Sequence, residues 1–222
     1  AHVPDQWPFL YMTLTDRGAA MYFGTFLAII VIPSLWIFIG QRKNAKLLDM
    51  GNMFFLGLAF MLIETKSIVE LSLLFGSTWI VSSAVITTVL ILAYISNLIV
   101  QKTNRFPLIY LYIGLLISLA LQYFLNIPNK TDWPPILIAI IATLISCLPI
   151  LFSSMIFSYC FRGSDQPSAF LAANLLGVAF GGLTENFSLL LGIKGLVPIA
   201  LIIYTLSAFC LSRSKSQLLF KA

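Results

Sequence analysis

Four charged residues stand inside long apolar runs, where a charge is costly, and they are the first candidates for chemistry. Lys66 lies between Glu64 and Glu70 in one such run, and Glu185 lies in another. All three glutamates of the chain are thus inside apolar runs, whereas its five aspartates fall in connecting segments or at the edges of runs. A charged residue at the centre of a membrane helix costs about 2.5–3.5 kcal/mol on insertion scales. Residues of this kind typically form proton relays, cation sites or buried ion pairs.

The spacing of the charged residues around Lys66 predicts one ion pair, Lys66 with Glu70, and one carboxylate without a partner on the same helix, Glu64. Lys66 and Glu70 are four residues apart, so a helix places them on one face, where they can form a structural ion pair. Glu64 points to a different face, which it shares with Gly57 and, nearby, Ser67. Its carboxylate needs a neighbouring helix, water or a bound proton as its partner. Two interpretations stay open here: a structural hydrogen bond to another helix, or a site for a proton or a cationic substrate.

The run that contains Glu185 combines polar residues with a stripe of small ones. Small residues spaced four apart allow close contact between membrane helices, and three recur at this spacing: Ala173, Gly177 and Gly181. Glu185 continues the stripe, so the sequence predicts that this helix buries its polar side against protein. The candidates for a substrate or proton site are Glu64, Ser67, Asn174, Glu185 and Ser188.

The composition indicates that these residues lie in a lipid bilayer. Of 222 residues, 59% are hydrophobic and only 9% are charged, with a mean hydropathy of +0.98, whereas soluble domains are about 25% charged. This composition excludes a soluble enzyme and a nucleic-acid-binding domain. A membrane-spanning helix needs about 20 apolar residues. Seven runs of about this length predict an all-α membrane bundle of about seven helices: 19–40, 52–75, 78–100, 107–125, 135–161, 168–191 and 195–212.

The basic residues outside these runs predict the orientation of the bundle. Nine of them follow the first, third, fifth and seventh runs, and three lie on the opposite side: Arg17, Lys130 and Lys194. Because basic residues accumulate on the cytoplasmic side, this bias places the C-terminus in the cytoplasm and the N-terminus outside. The chain then divides into an interfacial segment 1–18, a transmembrane domain 19–212 and a cytoplasmic tail 213–222.

The sequence predicts neither a metal site nor a cofactor. Cys147, Cys160 and Cys210 are scattered without the Cys-x-x-Cys spacing of a zinc site. The only histidine is His2, at the start of the chain. The chain also holds no recognisable catalytic motif.

Two parts of the sequence resemble each other. Residues 56–60 (LGLAF) match residues 176–180 (LGVAF), and a glutamate follows each glycine after seven or eight positions. Each copy continues to a Leu-Leu pair and then a glycine, Gly76 or Gly192. The pattern predicts a repeated helical hairpin, about 120 residues apart and in the same orientation. Parallel repeats of this kind occur in transporters.

Three stretches resemble a known family, the bacterial membrane proteins fused to a spermidine synthase-like domain and described as major-facilitator-like. Residues 60–67 (FMLIETKS), continuing to 73–79 (LLFGSTW), resemble its membrane part, and residues 174–185 resemble its last hairpin. Residues 6–11 (QWPFLY) resemble the segment that follows its soluble domain. The resemblance implies an inner-membrane location, and it makes segment 1–18 the end of a linker. Any aminopropyltransferase-like activity would reside in a domain upstream of Ala1. Because a cytoplasmic domain there would place the N-terminus inside, the side of the N-terminus stays open.

Two functions follow as expectations. In the first, the chain is a transporter-like bundle whose Glu64 and Glu185 face a polar interior and bind a cationic solute or a proton. The resemblance suggests a polyamine as that solute. In the second, the helices anchor and position a soluble synthase-like domain and transport nothing. The expected partners are the lipid bilayer, that soluble domain and a cationic small molecule.

Overall fold

Six long helices make up most of the chain that the structure describes. The computed structural model describes residues 47–76, 79–103, 107–124, 135–164 and 166–214, together with the single positions 28 and 32. The long helices are α1 (Leu47–Phe75), α2 (Trp79–Lys102), α3 (Leu108–Phe124), α4 (Pro135–Arg162), α5 (Pro167–Thr184) and α7 (Leu196–Arg213). Between α5 and α7 lie two 3₁₀ turns, Glu185–Phe187 and Ile193–Gly195, which flank the short helix α6 (Ser188–Leu191).

Five segments are long and apolar enough to cross a membrane, which confirms an all-α, multi-pass architecture for the described residues. They are Leu47–Leu73, Ser82–Lys102, Ile141–Arg162, Pro167–Phe187 and Ile193–Arg213. They correspond to the second, third, fifth, sixth and seventh predicted runs. The fourth run is the shorter apolar helix α3, of 17 residues. The first run, apart from positions 28 and 32, the segment 1–18 and most of the tail lie outside the described residues, so the number seven stays a prediction.

Helix α1 is the central helix, and its neighbours alternate in direction. Asn52, near its start, bonds to Ser207 near the end of α7, so these two helices are antiparallel. Thr65, further along α1, bonds to Glu185 just after α5, so α1 and α5 are parallel. Leu62 and Ile63 of α1 are fully buried in the core, together with Leu115 and Leu119 of α3 and Ile150 of α4.

The outer surfaces of the helices remain apolar, as lipid contact requires. Leu90 and Ile91 of α2 are more than half exposed, and so is Leu175 of α5. In water such a surface would be an aggregation hazard, whereas in a bilayer lipid tails cover it.

The sixth predicted run differs from the structure, because its helix is interrupted. α5 ends at Thr184, and the 3₁₀ turn at Glu185 replaces the continuous helix expected to residue 191. Thr184 Oγ1 donates to the Phe180 carbonyl and Asn186 Nδ2 donates to the Leu183 carbonyl. Side chains that bond to backbone carbonyls in this way compete with the regular helical ladder, so the polar sequence around Glu185 favours the break.

Candidate functional site: a charged layer between the helices

A buried ion pair forms the centre of the candidate site. Lys66 Nζ donates to Glu70 Oε2 at 2.6 Å, across one turn of α1. The Lys66 side chain is only 1% exposed, whereas that of Glu70 is 23% exposed. The lysine charge is therefore held inside the protein, and one edge of the glutamate reaches the surface of the bundle.

A network of three polar side chains from three helices is linked to this pair through Ser146. Ser146 Oγ of α4 donates to Glu70 Oε2 at 3.1 Å, so this carboxylate oxygen has two donors. The backbone carbonyl of Ser146 accepts from Ser67 Oγ of α1 at 3.0 Å and from Gln122 Nε2 of α3 at 3.1 Å. The other atom of the same amide, Gln122 Oε1, is buried without a hydrogen-bond partner. The network thus joins α1, α3 and α4, and it leaves one strong acceptor unused.

Glu64 stands apart from the pair. It is half-buried, and within the described residues no hydrogen bond or ion pair reaches its carboxylate. The Cys147 thiol of α4 lies within electrostatic range of both Glu64 and Lys66. Glu64 therefore lies beside the ion pair on α1, and its carboxylate has no partner among the described residues.

Glu185 enters the layer from the parallel helix. Its Oε2 accepts from Thr65 Oγ1 at 2.8 Å, next in sequence to Glu64. The 3₁₀ turn that replaces the last turn of α5 carries Glu185 to this position. The predicted candidates Glu64, Ser67 and Glu185 thus meet at one level of the bundle.

The charges in this layer do not balance. We define the charged layer as Glu64, Lys66, Glu70, Glu185 and Lys194; Lys194 lies in the second 3₁₀ turn and within electrostatic range of Lys66. Among the described residues of this layer, three glutamates accompany two lysines, so these five carry one excess negative charge when all are ionised. The remaining charged residues of the described part lie at the opposite end of the bundle: Asp49, Lys102, Arg162 and Arg213.

Two other predicted candidates lie outside this network. Asn174 is about 16 Å from Glu185 along the helix axis, at 1.5 Å per residue, and its Nδ2 donates to the Met53 carbonyl at 3.1 Å. It belongs to the contact between α1 and α5. Ser188 is buried in α6, beyond the break in the helix, rather than on a continuation of the α5 face.

The small residues of α5 lie against the backbone of α1. A Cβ atom on Gly177 would lie 1.9 Å from the Phe54 carbonyl oxygen, and one on Gly181 would lie 2.7 Å from that of Leu58. In return, a Cβ on Gly57 would lie 2.2 Å from the Asn174 carbonyl oxygen. Ala173 is fully buried on the same side of α5. The two helix backbones are in direct contact, which holds Thr65 and Glu185 at one level.

A second polar cluster, which the sequence analysis missed, lies about 21 Å away along α1, at 1.5 Å per residue. Asn52 Nδ2 donates to Tyr112 OH at 2.9 Å and to Ser207 Oγ at 3.0 Å, and all three residues are buried. The cluster was missed because its side chains are uncharged and because Asn52 is the first residue of a predicted run. A polar amide in an otherwise apolar run is the signal that would have found both Asn52 and Gln122.

The described residues contain no group of three or more histidine, cysteine, aspartate or glutamate side chains that could hold a metal ion. Cys147, Cys160 and Cys210 are free thiols. The ionisable groups that this layer offers are carboxylates and ammonium groups, and inside membrane bundles such groups typically belong to ion or proton pathways or to ion pairs.

The fold and the site define a class: a multi-pass bundle of membrane helices with a charged layer in its interior. Comparison with family models, with curated proteins and with solved structures gives no match to this chain.

Proposed function

We propose that this chain is the membrane domain of a spermidine synthase-like integral membrane protein of the bacterial inner membrane, and that its charged layer binds a cationic solute or a proton. The observation that carries the proposal is the excess negative charge of this layer, together with a Glu64 carboxylate that no described side chain neutralises. A desolvated carboxylate in a membrane bundle is a natural site for a cation. The resemblance supplies a polyamine as the solute.

The contacts between α1 and α5 support a parallel repeat. Gly57 lies against Asn174, and Gly177 lies against Phe54. Gly177 lies 120 residues after Gly57, and Asn174 lies 120 residues after Phe54, so the two contacts are equivalent. Two helices related by a two-fold axis are expected to make such equivalent contacts. The helices that follow depart from this symmetry, since α7 packs mainly on α1 while α2 packs mainly on α4.

The distribution of basic residues supports the orientation. Lys102, Arg162 and Arg213 share one end of the bundle, and the positive-inside rule makes that end cytoplasmic. The charged layer then lies in the half of the bundle nearer the outer surface, and the C-terminus is cytoplasmic.

Binding of radiolabelled spermidine to the purified chain in detergent tests the proposed function. We expect saturable binding by the wild type, weakened at least about tenfold, or about 1.4 kcal/mol, by Glu64→Gln and by Glu185→Gln. Thr65→Val is the matched control, because it removes the hydroxyl donor at 2.8 Å from Glu185 and leaves both carboxylates in place. We expect this variant to bind within about threefold of the wild type, since a single neutral hydrogen bond contributes little.

A membrane anchor that transports nothing is the second candidate. The observation that favours it is that Lys66 and Glu70 neutralise each other within α1, while Ser146 of α4 donates to the same carboxylate and so joins the two helices. If the wild type shows no saturable binding of spermidine, or if both glutamine variants bind as the wild type does, the anchor is the better account.

A further inference from the structure

The Glu70 carboxylate is both a strong acceptor and an accessible one. Its Oε2 accepts from Lys66 Nζ and Ser146 Oγ, and its side chain is 23% exposed, compared with 1% for Lys66. A small cation could therefore approach Glu70 without the bundle coming apart, provided that Lys66 gives up its place.

Gln122 supplies a second acceptor that nothing uses. Its Nε2 donates to the Ser146 carbonyl, which can only accept, so the orientation of the amide is fixed. The Oε1 atom of the same amide has no hydrogen-bond partner. The side chain is only 5% exposed. A buried acceptor in this condition is costly unless a donor reaches it, so Gln122 offers an unused acceptor to a ligand with N–H donors.

The group that pairs with Glu70 is itself an alkylammonium, the head group of Lys66. An ammonium group has three N–H donors, and the described part of the structure gives one bond from Lys66 Nζ, to Glu70. The lysine head group thus satisfies Glu70 and leaves the Gln122 acceptor open. A free primary ammonium has no tether to α1, and it carries the N–H donors that both the Glu70 carboxylate and the Gln122 amide oxygen accept.

We propose that Glu70, Ser146 and Gln122 form a binding site for a primary ammonium group, and that Lys66 occupies this site as a built-in competitor which a cationic solute displaces. The inference deepens the proposed function, on which it rests for the identity of the solute. It assigns to Glu70 a part in binding beyond that of a structural ion pair.

Replacement of Lys66 by a smaller residue tests this site with a simple probe, ethylammonium. Lys66→Ala empties the site, so ethylammonium should raise its thermal unfolding temperature in a saturable way. Half-saturation should fall at a concentration at least about tenfold lower than for the wild type, because the tethered lysine competes at a high effective concentration. Lys66→Ser serves as a second variant in case the alanine protein does not fold.

Three controls separate this site from a general effect of salt. Tetramethylammonium has the same charge and no N–H donor, so it should not stabilise Lys66→Ala. Lys66→Met fills the same space with an apolar chain and should not respond to ethylammonium. Lys66→Ala combined with Glu70→Gln lacks the carboxylate and should not respond either.

Each outcome decides the inference. Equal stabilisation of Lys66→Ala by both cations overturns it. So does the absence of a response in both Lys66→Ala and Lys66→Ser, or the failure of both to fold even with ethylammonium in the buffer. A response to ethylammonium in a protein whose wild type does not bind spermidine supports the ammonium site and rejects the proposed function. Spermidine binding that depends on Glu64, without a response to ethylammonium, supports the proposed function and rejects this site.

Discussion

Gly177→Ala should destabilise the bundle more than any other single methyl addition in α5. The new Cβ would lie 1.9 Å from the Phe54 carbonyl oxygen and 2.9 Å from the Leu58 backbone nitrogen, so two helix backbones must separate to admit it. Overpacking in a close-packed interior costs about 1–3 kcal/mol, and we expect the upper end of this range because backbone atoms cannot change rotamer. Unfolding of the purified protein in detergent, followed by circular dichroism, measures the loss.

Gly182→Ala is the matched control for this prediction. It lies in the same helix, five residues further on, and a Cβ there would meet no atom within 4 Å. We expect it to be neutral or to stabilise α5 by up to about 1 kcal/mol, because alanine is a better helix former than glycine. If both substitutions had the same effect, α1 and α5 would not be in backbone contact.

Glu70→Gln should also destabilise the protein strongly, because it removes one partner of the buried ion pair. It leaves the Lys66 ammonium 1% exposed and without a carboxylate, and the loss of one partner from a buried pair costs about 3–5 kcal/mol. Lys66→Met should cost less, because the Glu70 carboxylate that it leaves is 23% exposed and keeps the Ser146 hydroxyl as a donor. Replacing both residues removes the charges together, so the double variant should be more stable than Glu70→Gln alone.

Glu185→Gln provides the control for the change of carboxylate to amide. Its partner is the neutral hydroxyl of Thr65, for which an amide oxygen is an adequate acceptor. We expect a change within about 1 kcal/mol. Equal losses of stability in Glu185→Gln and Glu70→Gln would contradict a buried charge pair at Lys66.

The sequence was informative where one helix determines the contact. The four-residue spacing of Lys66 and Glu70 is enough to place both on one face, and the structure has them paired at 2.6 Å. Helical spacing likewise separates Glu64 from that pair. These features are local, so the period of the helix is sufficient to predict them.

The sequence was less informative where the contact joins distant helices or depends on height in the bundle. Asn174 and Glu185 share a face of the predicted run, and the rise of 1.5 Å per residue already separates them by about 16 Å. Only the structure shows that Asn174 bonds to Met53 and Glu185 to Thr65. Gln122 and Ser146 could not be assigned to Glu70, because nothing in one sequence says that α3 and α4 meet there. The break after Thr184 depends on side-chain hydrogen bonds that a hydropathy pattern does not record.

The central claim is that the charged layer receives a cation at Glu64, and carbodiimide labelling tests it at the level of single residues. Dicyclohexylcarbodiimide modifies carboxyl groups in apolar surroundings, and mass spectrometry of the digested protein locates each modified residue. The account predicts that Glu64 is labelled and that spermidine protects it, while any labelling of Asp49, at the opposite end of α1, is unchanged by spermidine. Labelling of Glu64 to the same extent with and without saturating spermidine would contradict the account.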